Sequence, residues 1–366
     1  MRRLYLSIIF SAFSLTAAFS QTGANCTQTI RLIRSTYEQG RLHELPGLAD
    51  GCLNPRPGQA GFTKEEKREA YRYLTLAYIY LEEPDSADIN MLKLLETDHF
   101  YQPNETIDPA EFIALYHKFR HDPVFRYGLK VGVNTTQPTA LEYYNVGSSA
   151  GGAGKYGLAV GFNVMLVFEK DFARGSKFEK FTFAPEVAFV SRTFSYTNSN
   201  LNFADKKADS TVSTQQFVLS QQWLDVNALL QYKLKAVNPI NFHTYVGIGP
   251  GISYLLGSKN QPSTTYGSGS NGYTVTGPQV DDSKSYNNLV YSVILTAGFK
   301  KRIGELYLTG DIRYQFGLSN VVNNASRTNQ VIGFDYAGTY NNYRMSNVMI
   351  QLGVLFPRFV PKKLVK

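Results

Sequence analysis

Long apolar runs are missing from most of this 366-residue chain. Beyond the first twenty residues no stretch reaches about 18 apolar residues, the least a membrane-crossing helix needs. A mean hydropathy of −0.23 also excludes a multi-helix membrane protein. Cysteine is scarce, with two residues, and tryptophan scarcer, with one. No Cys/His array, no H-E-x-x-H and no G-x-x-x-x-G-K-S/T occurs, which leaves zinc-site and P-loop chemistry without a motif. Formal charge is +8, but no dense Lys/Arg block carries it, so nucleic-acid binding has little support. What is abundant is 25 Tyr, 24 Phe and 30 Gly, a composition suited to sheets with aromatic belts.

The one apolar run lies at the start. Arg2 and Arg3 precede an apolar stretch from Leu4 to Ala18, and Ala18-Phe19-Ser20 reads as a small-x-small cleavage site. Residues 1–20 are therefore expected to be a signal peptide, with the exported chain starting at Gln21. No Leu-rich lipobox precedes Cys26, so a lipoprotein is not expected. Export favours pairing Cys26 with Cys52 over two buried free thiols. Closing a loop of about 25 residues would contribute roughly 3 kcal/mol by the chain-entropy argument.

From Cys26 to about His121 the apolar residues recur with a helical period. Ile30, Leu32, Ile33 and Tyr37 predict a helix that ends near Gly40. Thr63 with Glu66 three residues on forms a capping box, opening a helix lined by Tyr71, Leu74, Ala77, Tyr78 and Leu81. Pro84-Asp85 punctuates before a returning helix over Ala87 to Leu95. Asp108-Pro109 opens a last helix through Phe112, Leu115 and Phe119.

After Pro123 the period changes to two. Leu158, Val160, Phe162, Val164, Leu166 and Phe168 alternate with Gly157, Ala159, Gly161, Asn163, Met165, Val167 and Glu169. Leu306, Leu308, Ile312, Tyr314, Phe316 and Leu318 repeat the pattern against Tyr307, Thr309, Asp311, Arg313 and Gln315. Similar runs occupy about 124–134, 178–192, 217–235, 242–256, 287–300 and 343–356, eight in all. About ten tilted residues cross a bilayer, whereas soluble strands average five or six. The connections run roughly 20, 8, 24, 6, 30, 4 and 24 residues, alternating as extracellular loops and periplasmic turns do. The expected fold class is therefore α + β: a small helical-hairpin domain, then an eight-stranded antiparallel transmembrane β-barrel. Its divisions are a signal peptide at 1–20, a periplasmic helical domain at 21–121, the barrel at 122–359 and a basic tail at 360–366. The localisation that follows is the cell outer membrane, with the helical domain in the periplasm.

Residues 123–359 resemble the PorT-like outer-membrane β-barrel family of Bacteroidetes. The resemblance is carried by Tyr127-Gly-Leu-Lys-Val-Gly-Val-Asn, Val246-Gly-Ile-Gly-Pro-Gly-Ile and Ile350-Gln-Leu-Gly-Val-Leu-Phe. The segment around Tyr71-Arg-Tyr-Leu-Thr-Leu-Ala-Tyr-Ile-Tyr-Leu resembles tetratricopeptide-type hairpins, though no 34-residue repeat is present. The PorT-like resemblance implies a part in secretion or envelope assembly.

An eight-stranded barrel has an interior that side chains fill. Its inward faces should hold Arg126, Lys130, Arg192, Lys233 and Arg313 with Glu169, Glu186, Asp225, Glu305 and Asp311. Opposite charges in one narrow lumen are expected to pair, because a lone buried charge is very costly. Of the five histidines only His243 falls in the barrel, so no nucleophile–base pair is expected at the loop end and no enzymatic role, metal or cofactor follows. The function expected is a non-enzymatic anchor or adaptor: the barrel sits in the lipid bilayer and the helical domain docks a periplasmic partner or the cell wall. The alternative is a small-solute or surface-ligand protein whose loops present Tyr143, Tyr144, Tyr266, Tyr273, Tyr336, Tyr340 and Tyr343.

Overall fold

The structure is a computed structural model that describes residues 24–144, 154–173, 175–202, 212–234, 241–266, 273–326 and 340–364. The expected signal peptide and its cleavage site lie outside the described residues. The chain divides into two compact units, residues 1–123 with 359–366, and residues 124–358. The divisions thus fall at 123/124 and 358/359, two residues later and one residue earlier than the sequence reading.

The first unit is helical: α1 (Ala24–Glu38), α2 (Leu45–Leu53), α3 (Lys64–Tyr80), α4 (Pro84–Thr97) and α5 (Ala110–His117). Helix α1 stops at Gly40, whose φ of +74° lets the chain turn where a side chain would be strained. Its buried stripe is Ile30 and Ile33, while Leu32 points outward. Thr63 and Glu66 form both hydrogen bonds of the capping box that opens α3. Cys26 and Cys52 are joined by a disulfide within a core that includes Ile33, Leu45, Phe62 and Leu74. A second core gathers Met91, Leu94, Phe112, Tyr116 and Phe119 between α3, α4 and α5. Of the basic tail set apart by sequence at 360–366, the described residues 360–364 pack with this unit. Phe359 stacks on His99, Arg120 Nη2 donates to the Val360 carbonyl at 2.9 Å, and Lys363 pairs with Asp88.

The second unit is one antiparallel sheet closed on itself. Eight long strands form the ring: β1 (Phe125–Glu142), β3 (Val160–Asp171), β4 (Phe181–Asn202), β5 (Val212–Lys233), β6 (Phe242–Tyr266), β9 (Leu289–Ile303), β10 (Leu306–Gly317) and β11 (Asn342–Arg358). Around the ring the order is β4-β3-β1-β11-β10-β9-β6-β5, closed by β4–β5 pairing. Short β2 (Lys155–Leu158) pairs with β4, and β7 (Tyr273–Thr276) and β8 (Val280–Asp281) pair with β6. Closure removes the edges that would otherwise expose unpaired backbone groups to hydrocarbon.

Burial in the ring is inverted relative to a water-soluble protein. On β3 every outward residue from Val160 to Phe168 is exposed and apolar, while Asn163 and Glu169 on the inner face are buried. Outward apolar residues on β6 run from Phe242 to Tyr254. Twelve steps at about 3.3 Å, tilted about 40°, span roughly 30 Å, the thickness of a bilayer core. Aromatic rings collect at the short-turn end, where Phe125 stacks on Phe168 and Phe242 on Phe299.

Toward the long-loop end the inward parity is kept but the inner face becomes apolar. Phe194, Tyr196, Phe217 and Leu219 turn inward and are buried, while Ser195, Thr197, Gln216 and Ser220 face out. The described residues of the segment 193–216, expected as a loop, are therefore strand: β4 and β5 stay paired as far as Asn202 opposite Val212. The sequence reading ended the strands where the outward apolar residues stopped. The backbone continues with water in place of lipid outside.

Candidate functional site in the barrel interior

The inward faces of the eight strands build a lumen in two layers. Near the short-turn end the layer is ionic. Arg126 on β1 donates from Nε to Glu169 at 3.0 Å and from both terminal nitrogens to Asp171 at 2.8 and 2.9 Å. Lys300 on β9 reaches the same Glu169 at 2.7 Å and Gln231 at 2.8 Å, with its ammonium 4.5 Å from the centre of the Tyr245 ring. Lys130 holds Asp311 at 2.7 Å, and Tyr245 donates its hydroxyl to that carboxylate at 3.2 Å. Arg313 on β10 makes a two-pronged pair with Glu186 on β4 at 2.6 and 3.1 Å. Strands β4 and β10 stand four places apart in an eight-membered ring, as do β3 and β9. These pairs therefore span the barrel's diameter.

Eight of the ten residues singled out by sequence lie in this network or directly above it, all buried: Arg126, Lys130, Glu169, Glu186, Arg192, Asp225, Asp311 and Arg313. Lys233 is half-buried at the rim and pairs with Asp171 at 2.8 Å. Glu305 is not in the lumen. It is exposed in the two-residue turn between β9 and β10, where Gly304 at φ +61° reverses the chain. Sequence reasoning missed Lys300 and Asp171. Both follow from parity: Lys300 alternates with the outward Phe299 and Lys301, and Asp171 shares a face with Glu169.

Room for the long cations comes from small inward residues. Gly247, Gly249 and Gly251 of the β6 motif alternate on the inner face of the ring. A Cβ on Gly251 would stand 2.6 Å from Asn227 Oδ1 and 2.8 Å from Ser292 Oγ. The inner face at this level accepts no further atoms.

Above the ions, Arg192 donates to Asp225 at 2.7 Å and to Gln315 Oε1, across the ring, at 3.1 Å. Its guanidinium lies 5.2 Å from the ring of Trp223, the chain's one tryptophan, which is fully buried. From there to the long-loop end the interior is filled by a core that includes Phe194, Phe217, Tyr286, Val321, Tyr340 and Tyr343. Tyr340 and Tyr343, expected on the surface by sequence, are thus interior residues, while Tyr143 and Tyr273 are exposed and Tyr336 lies outside the described residues. Tyr340 and Tyr286 donate to Asp282 at 2.7 and 3.2 Å. Burial pushes the Asp282 carboxyl above the ordinary carboxylate range, and pushes both phenols up as well. Between the layers a small cavity bordered by Arg192, Ser253, Ser292, Gln315 and Asn347 has room for about one water.

Chemically this interior is a set of buried ion pairs capped by aromatic packing, with single buried atoms such as Glu169 Oε1, Asp225 Oδ1 and Arg313 Nε left without a hydrogen bond. Among the described residues no group of three His, Cys, Asp or Glu could hold a metal ion. Asn134, which fits a glycosylation pattern, is buried and donates to the Ser191 carbonyl. Among the described residues no helix is long and apolar enough to cross a membrane.

A search among curated proteins finds no match. Solved structures similar to this one include Neisserial surface protein A (12% identity, TM-score 0.28, covering 63% of this chain and 96% of that one). Ail, the attachment invasion locus protein of Yersinia pestis, aligns at 10% identity and TM-score 0.27, covering 64% of this chain and 99% of that one. OprG from Pseudomonas aeruginosa aligns at 11% identity and TM-score 0.34, covering 65% and 98%. Residues 117–323, over half of the chain, match the family of the outer membrane protein beta-barrel domain. With a closed eight-stranded ring, an apolar outside and a charged inside, the chain is a member of that outer-membrane β-barrel family.

Proposed function

We propose that this outer-membrane protein is a non-enzymatic anchor whose helical unit is held on the periplasmic side to dock an envelope partner. The observation that carries the reading is the crossed lumen, in which diametric ion pairs and an aromatic core of described residues occupy the interior. A barrel that carries nothing through itself serves best as a fixture for what is attached to it.

What is attached is a disulfide-stapled helical unit joined to the barrel by two chain connections, at 123–124 and at 358–359. Those connections leave from neighbouring strands, β1 and β11, at the end where the turns are short. Short turns and both termini mark the periplasmic end in barrels of even strand number, which supports a periplasmic helical unit. The likeness to PorT-like barrels and to tetratricopeptide hairpins suggests secretion or envelope assembly as the setting.

The test is a mild-detergent pull-down with mass spectrometry, comparing the full chain with a chain lacking residues 24–121. Heat-modifiable gel mobility checks that both barrels are folded. Partners held by the full chain and lost on deletion support the anchor; identical partners from both sink it.

A further inference from the structure

We propose that the outer wall formed by β11, β1 and β3 at the short-turn end is a binding site for the phosphate of an anionic glycerophospholipid. Strands β11 and β3 are the two neighbours of β1. Phe125 on β1 stands opposite Arg358 on β11. On the other side, Arg126 pairs with Glu169, so one residue on, Phe125 meets the level of Lys170. Arg358, Phe125 and Lys170 therefore lie in one row across three strands. Lys170 and Arg358 are both exposed on the outer face.

The next row toward the membrane centre is aromatic: Phe356, Tyr127 and Phe168, all exposed. Phe125 packs on Phe168 at 5.1 Å and on Tyr127 at 6.2 Å, and Tyr127 packs on Phe356 at 5.9 Å. Two cations thus flank the foot of a continuous aromatic platform. Two strand spacings separate their backbones by roughly 10 Å, a gap that side chains of this length close around one phosphate. Arginine offers a two-pronged donor and lysine a mobile point charge. The platform above suits the glycerol and upper acyl region, where aromatic belts sit.

Among the described residues no acid of β11, β1 or β3 faces outward at this end; Glu305, exposed in the β9–β10 turn, lies beyond β11. Glu169 and Asp171, the acids nearest in sequence, point into the lumen and are engaged by Arg126, Lys300 and Lys233. Among the described residues neither Lys170 nor Arg358 has an ion pair or side-chain hydrogen bond. A pair of unneutralised cations at headgroup level is a charge that an anionic lipid complements. The orientation proposed above decides only which leaflet supplies that lipid, so the site stands or falls independently of the helical unit's partner.

Native mass spectrometry of the full chain with equimolar phosphatidylglycerol and phosphatidylcholine of identical acyl chains reads the site directly. Phosphatidylglycerol is expected to be retained about tenfold over phosphatidylcholine. Lys170→Gln with Arg358→Gln should bring the ratio near parity, Lys170→Arg should keep it, and Lys177→Gln with Lys284→Gln should leave it unchanged. Should the double variant fold poorly, the wild-type preference must still fall as salt rises from about 50 to 500 mM, because screening weakens an exposed phosphate contact. Equal retention of the two lipids, a preference untouched by the double substitution, or displacement of phosphatidylglycerol by equimolar lipopolysaccharide would overturn the proposal.

Discussion

Arg313 on β10 grips the carboxylate of Glu186 on β4 from directly across the barrel, with nitrogen–oxygen distances of 2.6 and 3.1 Å and both side chains buried. Strands that are not neighbours are thereby linked through the interior as well as around the wall. Glu169 and Lys300 make a second such brace at 2.7 Å. Charges of opposite sign thus meet across the narrow interior.

Removing one member of a diametric pair should be severe. Glu186→Gln leaves Arg313 and Lys130 to share the one carboxylate of Asp311, 3.6 Å from Arg313, and an uncompensated buried charge costs about 3–5 kcal/mol. Arg313→Met combined with Glu186→Leu should recover much of that loss, since neither charge then remains uncompensated. Midpoints of urea unfolding in lipid bilayers check this; a single variant as stable as wild type contradicts the brace.

The lone tryptophan reports which side of the wall is which. Trp223 is fully buried against Arg192, inside the ring and not in a lipid-facing belt. Its emission should be blue-shifted, yet brominated acyl chains should quench it no more than about 1.2-fold, because contact quenching needs lipid access. Strong quenching by brominated lipid would place the indole outside and reverse the inward assignment of β5.

In the helical unit the bond between Cys26 and Cys52 closes a span of 26 residues. Cys52→Ser should destabilise this unit by about 3 kcal/mol while leaving the barrel's heat-modifiable mobility intact. Helix melting followed at 222 nm checks the first part and gel mobility the second. Thr63→Ala, which removes the hydroxyl that caps α3, should cost about 1 kcal/mol in the same melt.

The same cap makes the unit acid-sensitive. Burial is the largest influence on Glu66 and raises its pKa, but it is outweighed. The Thr63 backbone N–H, 2.9 Å away, with the hydroxyls of Thr27 and Thr63, holds the carboxyl below its ordinary value. A folded-state pKa below the unfolded one adds stability above the unfolded value, and that stability is lost as pH falls through the folded value. Helix melting points should therefore drop as pH goes below 4.5, with a shallower drop in Glu66→Gln. A Glu66→Gln profile parallel to wild type would show the cap carboxylate to be uninvolved.

Much of this was legible because lipid inverts the usual burial rule and leaves period-two alternation intact. From Leu158 to Phe168 the outward residues read as one apolar line, and the parity that places them outside places Glu169 inside. Parity failed at turns. Glu305 shares phase with Tyr307 and Asp311, but Gly304 reverses the chain there and turns it out to water. The extension of β4 and β5 was illegible for another reason. Above the membrane, the apolar Phe194 and Tyr196 sit on the inner parity of Glu186 and Arg192, opposite that of Phe183 and Val187, so a reader following outward apolar residues loses the strand where lipid ends. Tyr340 precedes β11, where period carries no information about which aromatic residues fold back into the barrel, whereas Tyr343 shares the inner parity of Met345, Asn347 and Met349 and was readable from it.

The central claim is that the lumen is closed, and planar-bilayer recording of the purified full chain tests it most directly. The sealed interior predicts a flat baseline with no stable conductance steps across the voltage range the bilayer tolerates. Reproducible unitary steps from the wild-type protein, abolished when it is heat-denatured, would contradict a barrel filled by ion pairs below and aromatic side chains above.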